Sequence, residues 1–534
     1  VLVRPVGAHA VLLEVVGSTQ DCLGVVAGWE RALAQLVTDG VLPPPRDVVP
    51  GARTLLLDGV DPALVLPILR SLPSTPGQEE PPSGGVVEVP VVYDGDDLAA
   101  VAAAWDISEA ELITAHTSTE FRVAFTGFAP GFPYLVSAAR NGTADLAWDV
   151  ARDVARHATP RALVPAGAVG LAGRYCGIYP RPSPGGWQLI GTTECTLFDP
   201  DREPPALLPP GTRVRFVETT ALAPPPGHQD DEPAPSRGTG APALTVVRAG
   251  ALTTLQDAGR PGWAHLGVPH SGALDPDAAA LANRLVGNPA EATVLETTLD
   301  GVSLRSTTDV VVAVTGAPAA ITVGGRPAPW GVPVTVRAGE VIDIGAAVTG
   351  VRSYLAVAGG LTAPPVLGSR STDVLSGLGR PPLAVGDDLA VGARFGPVAA
   401  VDFTVARRST EPVVLRLTFG PRDDWFDEGS LTTLRTSVYT VSATSNRIGM
   451  RLTGPPLART HTRELESEGM VLGAVQIPPD GHPVIMLADH PTTGGYPVVG
   501  VVDAHDISAL AQARPGTRVR FDLNRAAPHH QEMT

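Results

Sequence analysis

A chain of 534 residues with 44% hydrophobic content exceeds the capacity of a single core and predicts several domains, about three to five. Its formal charge of -16 argues against attraction to nucleic acid or anionic membrane, both of which need clustered cations. All 39 basic residues are arginine, which excludes from this chain a Walker A phosphate loop, a Schiff base, a biotinyl attachment site and a Ser-Ser-Lys triad, because each needs a lysine amine.

The first residues alternate short strands and helices: an apolar run at 11–16, a helix around 29–36, a second apolar run at 54–57, and a helix opened by Asp61-Pro62. This predicts a small α/β domain over residues 1–84, ending in a Pro and Gly cluster at 81–85. A strand at 86–93 then leads into a helix opened by Ser108-Glu109-Ala110-Glu111, a capping box, with His116 near its end and a strand at 122–125 after it. From there to residue 216 short apolar runs separated by Gly and Pro turns predict a closed barrel over residues 85–220. Residues 221–243, with Pro224-Pro225-Pro226 and almost no large apolar side chain, read as a linker.

The second half opens with a strand at 244–247 and a loop at 256–271. Asp275-Pro276-Asp277 then starts a helix whose C-cap is Gly287. Strands at 310–314, 341–344 and 354–357 make residues 244–400 a β-rich domain, and a strand at 413–419 opens a second barrel over residues 401–525. The barrel is assigned from repetition. Gly167-Ala168-Val169 returns as Gly473-Ala474-Val475, Gly185-Gly186-Trp187 returns as Gly494-Gly495-Tyr496, and residues 210–216 return verbatim as 515–521, roughly 300 residues on. Both copies end on Arg-Val-Arg-Phe, where alternation puts Val and Phe on one face of a closing strand. The fold class expected is mixed α+β, mainly β, with tandem barrels and a small N-terminal α/β domain.

No apolar run approaches the roughly 20 residues of a membrane span and the start of the chain lacks signal-peptide order, so a cytoplasmic protein is expected. Cys22, Cys176 and Cys195 are too scattered for a disulfide framework and read as buried thiols. Chemistry concentrates at residues 125–135, where four aromatics lie among Gly and Pro. These rings either wall a planar substrate or plug a barrel end. His116 is a candidate general acid or base. Asp257 is a candidate for orienting substrate or a metal, and Arg161, Arg260, Arg370, Arg380, Arg422 and Arg447 are candidates for holding a transferring phosphoryl group. Asp503-Ala504-His505-Asp506 looks like a metal cluster, but Asp506 is better read as the N-cap of a helix at 507–513, and no metal site is assigned. His482, Asp489 and His490 are loosely spaced, and His529-His530 belongs to a tail.

Two sets of motifs carry a family resemblance. Residues 125–135, His116-Thr117, Gly177-Ile178-Tyr179-Pro180 and Ser183-Pro184-Gly185-Gly186-Trp187 resemble the B subunit of 5-oxoprolinase, also labelled allophanate hydrolase subunit 1 or sporulation kinase inhibitor. Gln256-Asp257-Ala258-Gly259-Arg260, Ser271-Gly272-Ala273-Leu274-Asp275, Gly368-Ser369-Arg370-Ser371-Thr372 and Gly494-Gly495-Tyr496-Pro497 resemble the C subunit, also labelled allophanate hydrolase subunit 2. The resemblance implies cyclophilin-like barrels and a fused component that opens 5-oxo-L-proline to L-glutamate, with ATP and Mg bound here or only in the complex, beside a separate A subunit. Catalysis is expected at His116, Asp257 and Arg260. Substrate binding is expected at Phe128, Tyr134, Arg161, Gln188, Ser271, Arg370 and Tyr496. The alternatives are a carboxyltransferase of the urea carboxylase type, with biotin supplied on another chain, or an allophanate or urea-metabolism protein. A histidine-kinase-binding regulator is the third reading, and a homo-oligomer is left open.

Overall fold

The computed structural model describes residues 2–16, 22–70, 72, 85–138, 153–157, 159–221, 242–401, 404–406, 411–461, 463, 465–523 and 531–532. Residues 222–241 of the expected linker, residues 81–84 of the Pro and Gly cluster and His529-His530 lie outside them.

The N-terminal sheet orders its strands as Asp47–Pro50, Thr54–Asp58, Ala10–Glu14 and Leu2–Pro5, all antiparallel, with Gln531–Glu532 paired at the outer edge. Its apolar runs do not alternate with polar residues because both faces are covered. Val11, Leu13, Leu55 and Leu57 pack under the helices Cys22–Thr38 and Pro62–Leu69, against Trp29, Leu33 and Leu69. Ala10, Leu12, Val49 and Leu56 point the other way, onto Met470, Ala474, Val498 and Val501 of the second barrel. Asp61 caps the second helix by accepting from the Ala63 N–H, with Pro62 at the first helical position.

The two barrels share one strand order. The first runs Gln188–Thr192, Ala168–Ala172, Tyr175–Ile178, Pro133–Ser137, Glu120–Thr126, Arg213–Glu218 and Val86–Val91, and a pair of hydrogen bonds between Val92 and Thr192 links its two ends. The second runs Val498–Val502, Ala474–Gln476, Val484–Met486, Gly449–Thr453, Tyr439–Val441, Arg518–Leu523 and Val413–Phe419, and is closed. In both, the repeated Arg-Val-Arg-Phe strand lies parallel to the opening strand and antiparallel to its other neighbour. Val214, Phe216, Val519 and Phe521 fill the interiors while Arg215 and Arg520 face out.

Between the barrels, a seven-stranded and a five-stranded sheet face each other across Leu244, Val246, Leu295, Leu304, Val312 and Leu355. The helix Pro276–Leu285, capped by Asp275 as its sequence predicts, covers the outer face of the five-stranded sheet against Ala313, Tyr354 and Ala356. Its C-cap is Val286 rather than the expected Gly287, which stands one position further on at φ +77°. The Ser108 capping box also forms. An N-cap also differs from expectation. The last helix spans Ala504–Ala511, its N-cap is Asp503, which accepts from His505 N–H, and Asp506 instead binds the Arg416 guanidinium and backbone N–H. The earlier aspartate completes the cap, which frees Asp506 for an ion pair. Cys22 and Cys176 are buried, but Cys195 is only half-buried.

The two halves dock through backbone groups met by backbone or short polar side chains. Gly131 N–H donates to Leu266 C=O at 2.9 Å, the Thr126 hydroxyl donates to His265 C=O, and Phe128 N–H donates to the Thr493 hydroxyl at 2.9 Å. Asp47, whose pKa burial raises to about 6 against the pull of two backbone donors, accepts from Ala264 and Gly262 at 3.1 and 2.9 Å. Gly267 sits at φ +78°, and a Cβ there would strike the Ala129 carbonyl oxygen. Gly262, at φ +87°, has open space beside it. Gly262→Ala is therefore expected to lose about 1–3 kcal/mol for backbone conformation alone. Gly267→Ala should lose measurably more in denaturant unfolding, and equal losses would remove the clash from the account.

Candidate functional site

Where the N-terminal sheet meets the second barrel, the docking leaves a cleft of about 370 Å³ lined by Glu14, Arg53, Thr54, Arg422, Arg463 and residues 465–468, among others. Glu14 ends a strand of the N-terminal sheet, and Arg53 and Thr54 stand at the hairpin between Asp47–Pro50 and Thr54–Asp58. The opposite wall is held in place by Glu468–Gly469 pairing with Thr493–Gly494, and by Ala52 N–H donating to Ser467 C=O at 3.0 Å.

Arg422 is the buried pivot. Its guanidinium binds Glu468 and lies 2.9 Å from Glu14. Burial opposes its charge, but Glu468 and Glu14 outweigh that and raise its pKa, so it stays a cation. Burial raises the Glu468 carboxyl despite Arg422. Glu14 is shared with Arg4, at 2.7 Å, which also reaches Asp424 at 3.3 Å. Glu466 lies 3.6 Å from Arg174 of the first barrel and 3.9 Å from Arg53. Arg463 lies over the Trp425 ring, 5.3 Å from its centroid, and has no ion pair among the described residues. The Thr54 hydroxyl is buried without a hydrogen-bond partner among them.

The aromatic segment forms a layer behind this cleft, on the outer face of the first barrel's sheet. Phe132 meets Tyr179 and Trp187 edge-on at 5.2 and 5.3 Å, and Phe125 stacks on Tyr134 at 4.3 Å. The layer is packed, with Phe125, Phe132 and Tyr134 buried in it. The Tyr134 hydroxyl is within 3.4 Å of Ser467 on the cleft wall. Phe128, half-buried and at φ +64°, is the residue that bonds Thr493 across the junction.

His116 is in the interior of the first barrel, fully buried, 2.6 Å from the Tyr93 hydroxyl and 3.3 Å from Cys176 Sγ, and stacked on Phe216 at 4.2 Å. Burial lowers its pKa to about 3, so it is a neutral core ring and faces no cleft, contrary to its expected role as acid or base. The helix supplies the ring, but the barrel closes over it.

Asp257, Arg260, Ser271 and Arg370 do converge. Asp257 accepts from Gly259 N–H, the Ser369 and Ser371 hydroxyls and Arg370 N–H at 2.6–2.9 Å, which makes it a clamp on the 369–371 loop. Arg260 donates to Ser371 C=O and leaves Nη1 unpartnered among the described residues. Ser271, at φ +57°, donates to Asp489 Oδ1 at 2.7 Å. Asp373 adjoins this group, its pKa raised to about 7 by burial and then by Asp489. The side chains of Arg260, Ser271 and Asp373 are buried here. Arg370 donates to Ala363 C=O and is half-buried.

The remaining candidates stand apart. Arg161 donates through Nη2 to both oxygens of Asp97 at 2.8 Å, and Gln188 donates to Ala155 C=O at 2.9 Å. Tyr496 is 42% exposed. Arg380 pairs with Asp387 at 3.3 Å and Arg447 belongs to a buried ion network, so of the six arginines only Arg422 lines the cleft. His482 binds its own turn at Asp480. Sequence reading missed Glu14, Arg53, Thr54, Arg463, Glu466 and Glu468. The sole local signal was the dense charge of residues 463–468 next to an apolar run.

A duplicated barrel with a charged cleft between its halves defines a two-module binding or catalytic protein. The family model for carboxyltransferase domain subdomains C and D matches residues 1–208, and that for subdomains A and B matches residues 266–523. The chain is 38% identical over 281 residues to the C subunit of 5-oxoprolinase from Escherichia coli K12, covering 52% of this chain and 90% of that protein. It is 48% identical over 139 residues to the B subunit of 5-oxoprolinase from Escherichia coli O157:H7, covering 26% of this chain and 59% of that protein. Urea amidolyase of Saccharomyces cerevisiae is 32% identical over 302 residues, 52% of this chain and 16% of that protein. The crystal structure of TTHA0988 superposes with a TM-score of 0.82 at 37% identity, over 96% of this chain and 99% of that one. The chain belongs to the carboxyltransferase-domain family that includes the B and C subunits of 5-oxoprolinase, and it joins both modules in one polypeptide.

Proposed function

We propose that the chain is the fused B and C component of an ATP-dependent 5-oxoprolinase that opens 5-oxo-L-proline to L-glutamate together with a partner resembling the A subunit. The observation that carries this reading is the match to the C subunit over 90% of its length, joined in one chain to a module that matches the B subunit. The cleft supports it, because its volume suits a small metabolite and its walls come from both modules. The chain has no lysine and so no P-loop, which favours placing ATP and Mg on the partner. There the nucleotide supplies activation of the lactam oxygen. This chain's part is to hold the lactam and keep its surroundings fixed, with Arg422 kept in place by Glu14 and Glu468.

Reconstitution tests it. Purified chain, the cognate A subunit, ATP, Mg and 5-oxoproline are expected to release glutamate with ATP consumed, and neither protein alone should match the mixture. No release with an active cognate A subunit would sink the proposal. A second reading, carboxyl transfer, is favoured by the description of the matching family models. It predicts transfer from a supplied carboxybiotin carrier to urea or a related amide.

A further inference from the structure

We propose that the cleft between the N-terminal sheet and the second barrel holds a carboxylate, with the anionic end of the ligand between Arg463 and the Thr54 hydroxyl. This rests on reading the cleft as the substrate site, and it names the chemical group that site recognises.

Charge is the first ground. Among the charged side chains that line the cleft, Arg53, Arg422 and Arg463 face Glu14, Glu466 and Glu468, a balanced set in a chain whose formal charge is -16. The cleft therefore lacks the acidic excess of the molecule as a whole, and its preference is set by which cation is left unpaired. Arg422 is already committed to two carboxylates, and Glu466 is approached by two arginines, which leaves Arg463 as the cation without an ion pair among the described residues. Its guanidinium is positioned over Trp425, a support that keeps its fork free for planar recognition of a carboxylate.

The second ground is independent of charge. Thr54 is 1% exposed, it lines the cleft, and its hydroxyl has no partner among the described residues. A buried hydroxyl without a hydrogen bond is costly, and such groups in native proteins call for an occupant. An acceptor oxygen in the cleft satisfies it. The proposal assigns one charged donor, Arg463, and one neutral donor, Thr54, to a single group. The ligand class is a small carboxylic acid that carries an amide, and 5-oxoproline is the probe.

Calorimetric titration of the full chain, without the A subunit, makes the test. 5-Oxoproline is expected to bind with an affinity that falls as salt rises, and pyrrolidin-2-one, the same lactam without the carboxylate, should bind far more weakly. Arg463→Ala is expected to weaken binding about tenfold or more, Arg463→Lys to recover part of it, and Thr54→Val to weaken it severalfold. Arg463 is exposed, so its variants should fold as the parent does, which circular dichroism checks. Equal binding of the two lactams, or unchanged affinity in Arg463→Ala, overturns the proposal. Binding of another small carboxylate, such as glutamate, through Arg463 while 5-oxoproline fails to bind would keep the subsite and count against the 5-oxoprolinase reading. If no small carboxylate binds, the subsite falls, while the reconstitution assay still decides the function.

Discussion

Arg447→Ala is expected to destabilise the protein by about 3–5 kcal/mol, the cost of leaving a buried carboxylate without its counterion. The side chain is 1% exposed, and its guanidinium binds both oxygens of Asp489 at 2.9 Å, Gly272 C=O at 2.7 Å and Glu296 at 2.5 Å. Glu296 in turn lies 3.3 Å from Arg352 and accepts from the Tyr354 hydroxyl and Leu274 N–H. Burial disfavours the Glu296 charge, but Arg447 and Arg352 outweigh it and keep its pKa below the ordinary value. Because Arg447 and Asp489 come from the second barrel while Glu296 and Arg352 come from the five-stranded sheet, the network welds two domains. Replacing Arg447 and Asp489 together by leucine should cost less than Arg447→Ala alone, since no unpaired charge then remains at Asp489. Urea unfolding of the single and double variants measures both. A loss under about 1 kcal/mol in Arg447→Ala would mean that water reaches the site and screens it.

The second large effect is acid sensitivity from His116. Its ordinary pKa of 6.5 falls to about 3 on burial, with the Tyr93 hydroxyl and Cys176 at its two ring nitrogens. The unfolded chain therefore takes up a proton below pH 6.5 that the folded barrel refuses, so this contribution to stability is intact above that pH and is lost progressively as pH falls towards 3. At pH 5 the loss should be about 2 kcal/mol relative to pH 7. His116→Gln, neutral throughout, should be less stable at pH 7 yet flatter across this range, as followed by denaturant midpoints at each pH. An unchanged pH profile would place the acid sensitivity elsewhere, with His270 and His490, whose pKa burial also lowers, and Glu296, whose carboxyl Arg447 and Arg352 hold low, the next groups to examine.

Local chemistry was legible where it is self-contained. Ser108 with Glu111, Asp61 with Pro62 and Asp275 with Pro276 each complete a cap within a few residues, so their pattern and their geometry are the same information. The cap at Asp503 was misread because two aspartates lie within one turn, and the choice between them depends on Arg416, far away in sequence. His116 shows the same limit. Its place at a helix end was visible, but its burial depends on Phe216 and Cys176, which arrive from other strands. Asp257, Arg260, Ser271 and Arg370 were singled out from glycine-rich motifs and do share one region, yet the motifs do not tell a clamp on a loop from a group that meets substrate.

From the sequence by itself came the duplication, the barrel strands with their inward Val and Phe, the caps and the absence of any lysine. All of these follow from spacing of 2 or 3.6 residues, from turn chemistry or from composition, which are properties of neighbours along the chain. Tertiary structure alone decided which second face of the N-terminal sheet is covered, which aromatics pack against one another, and that Glu14 and Arg422, or Arg4 and Asp424, meet at all. Those pairs are more than 400 positions apart, and their approach is set by how two finished surfaces fit, a quantity that no local periodicity encodes.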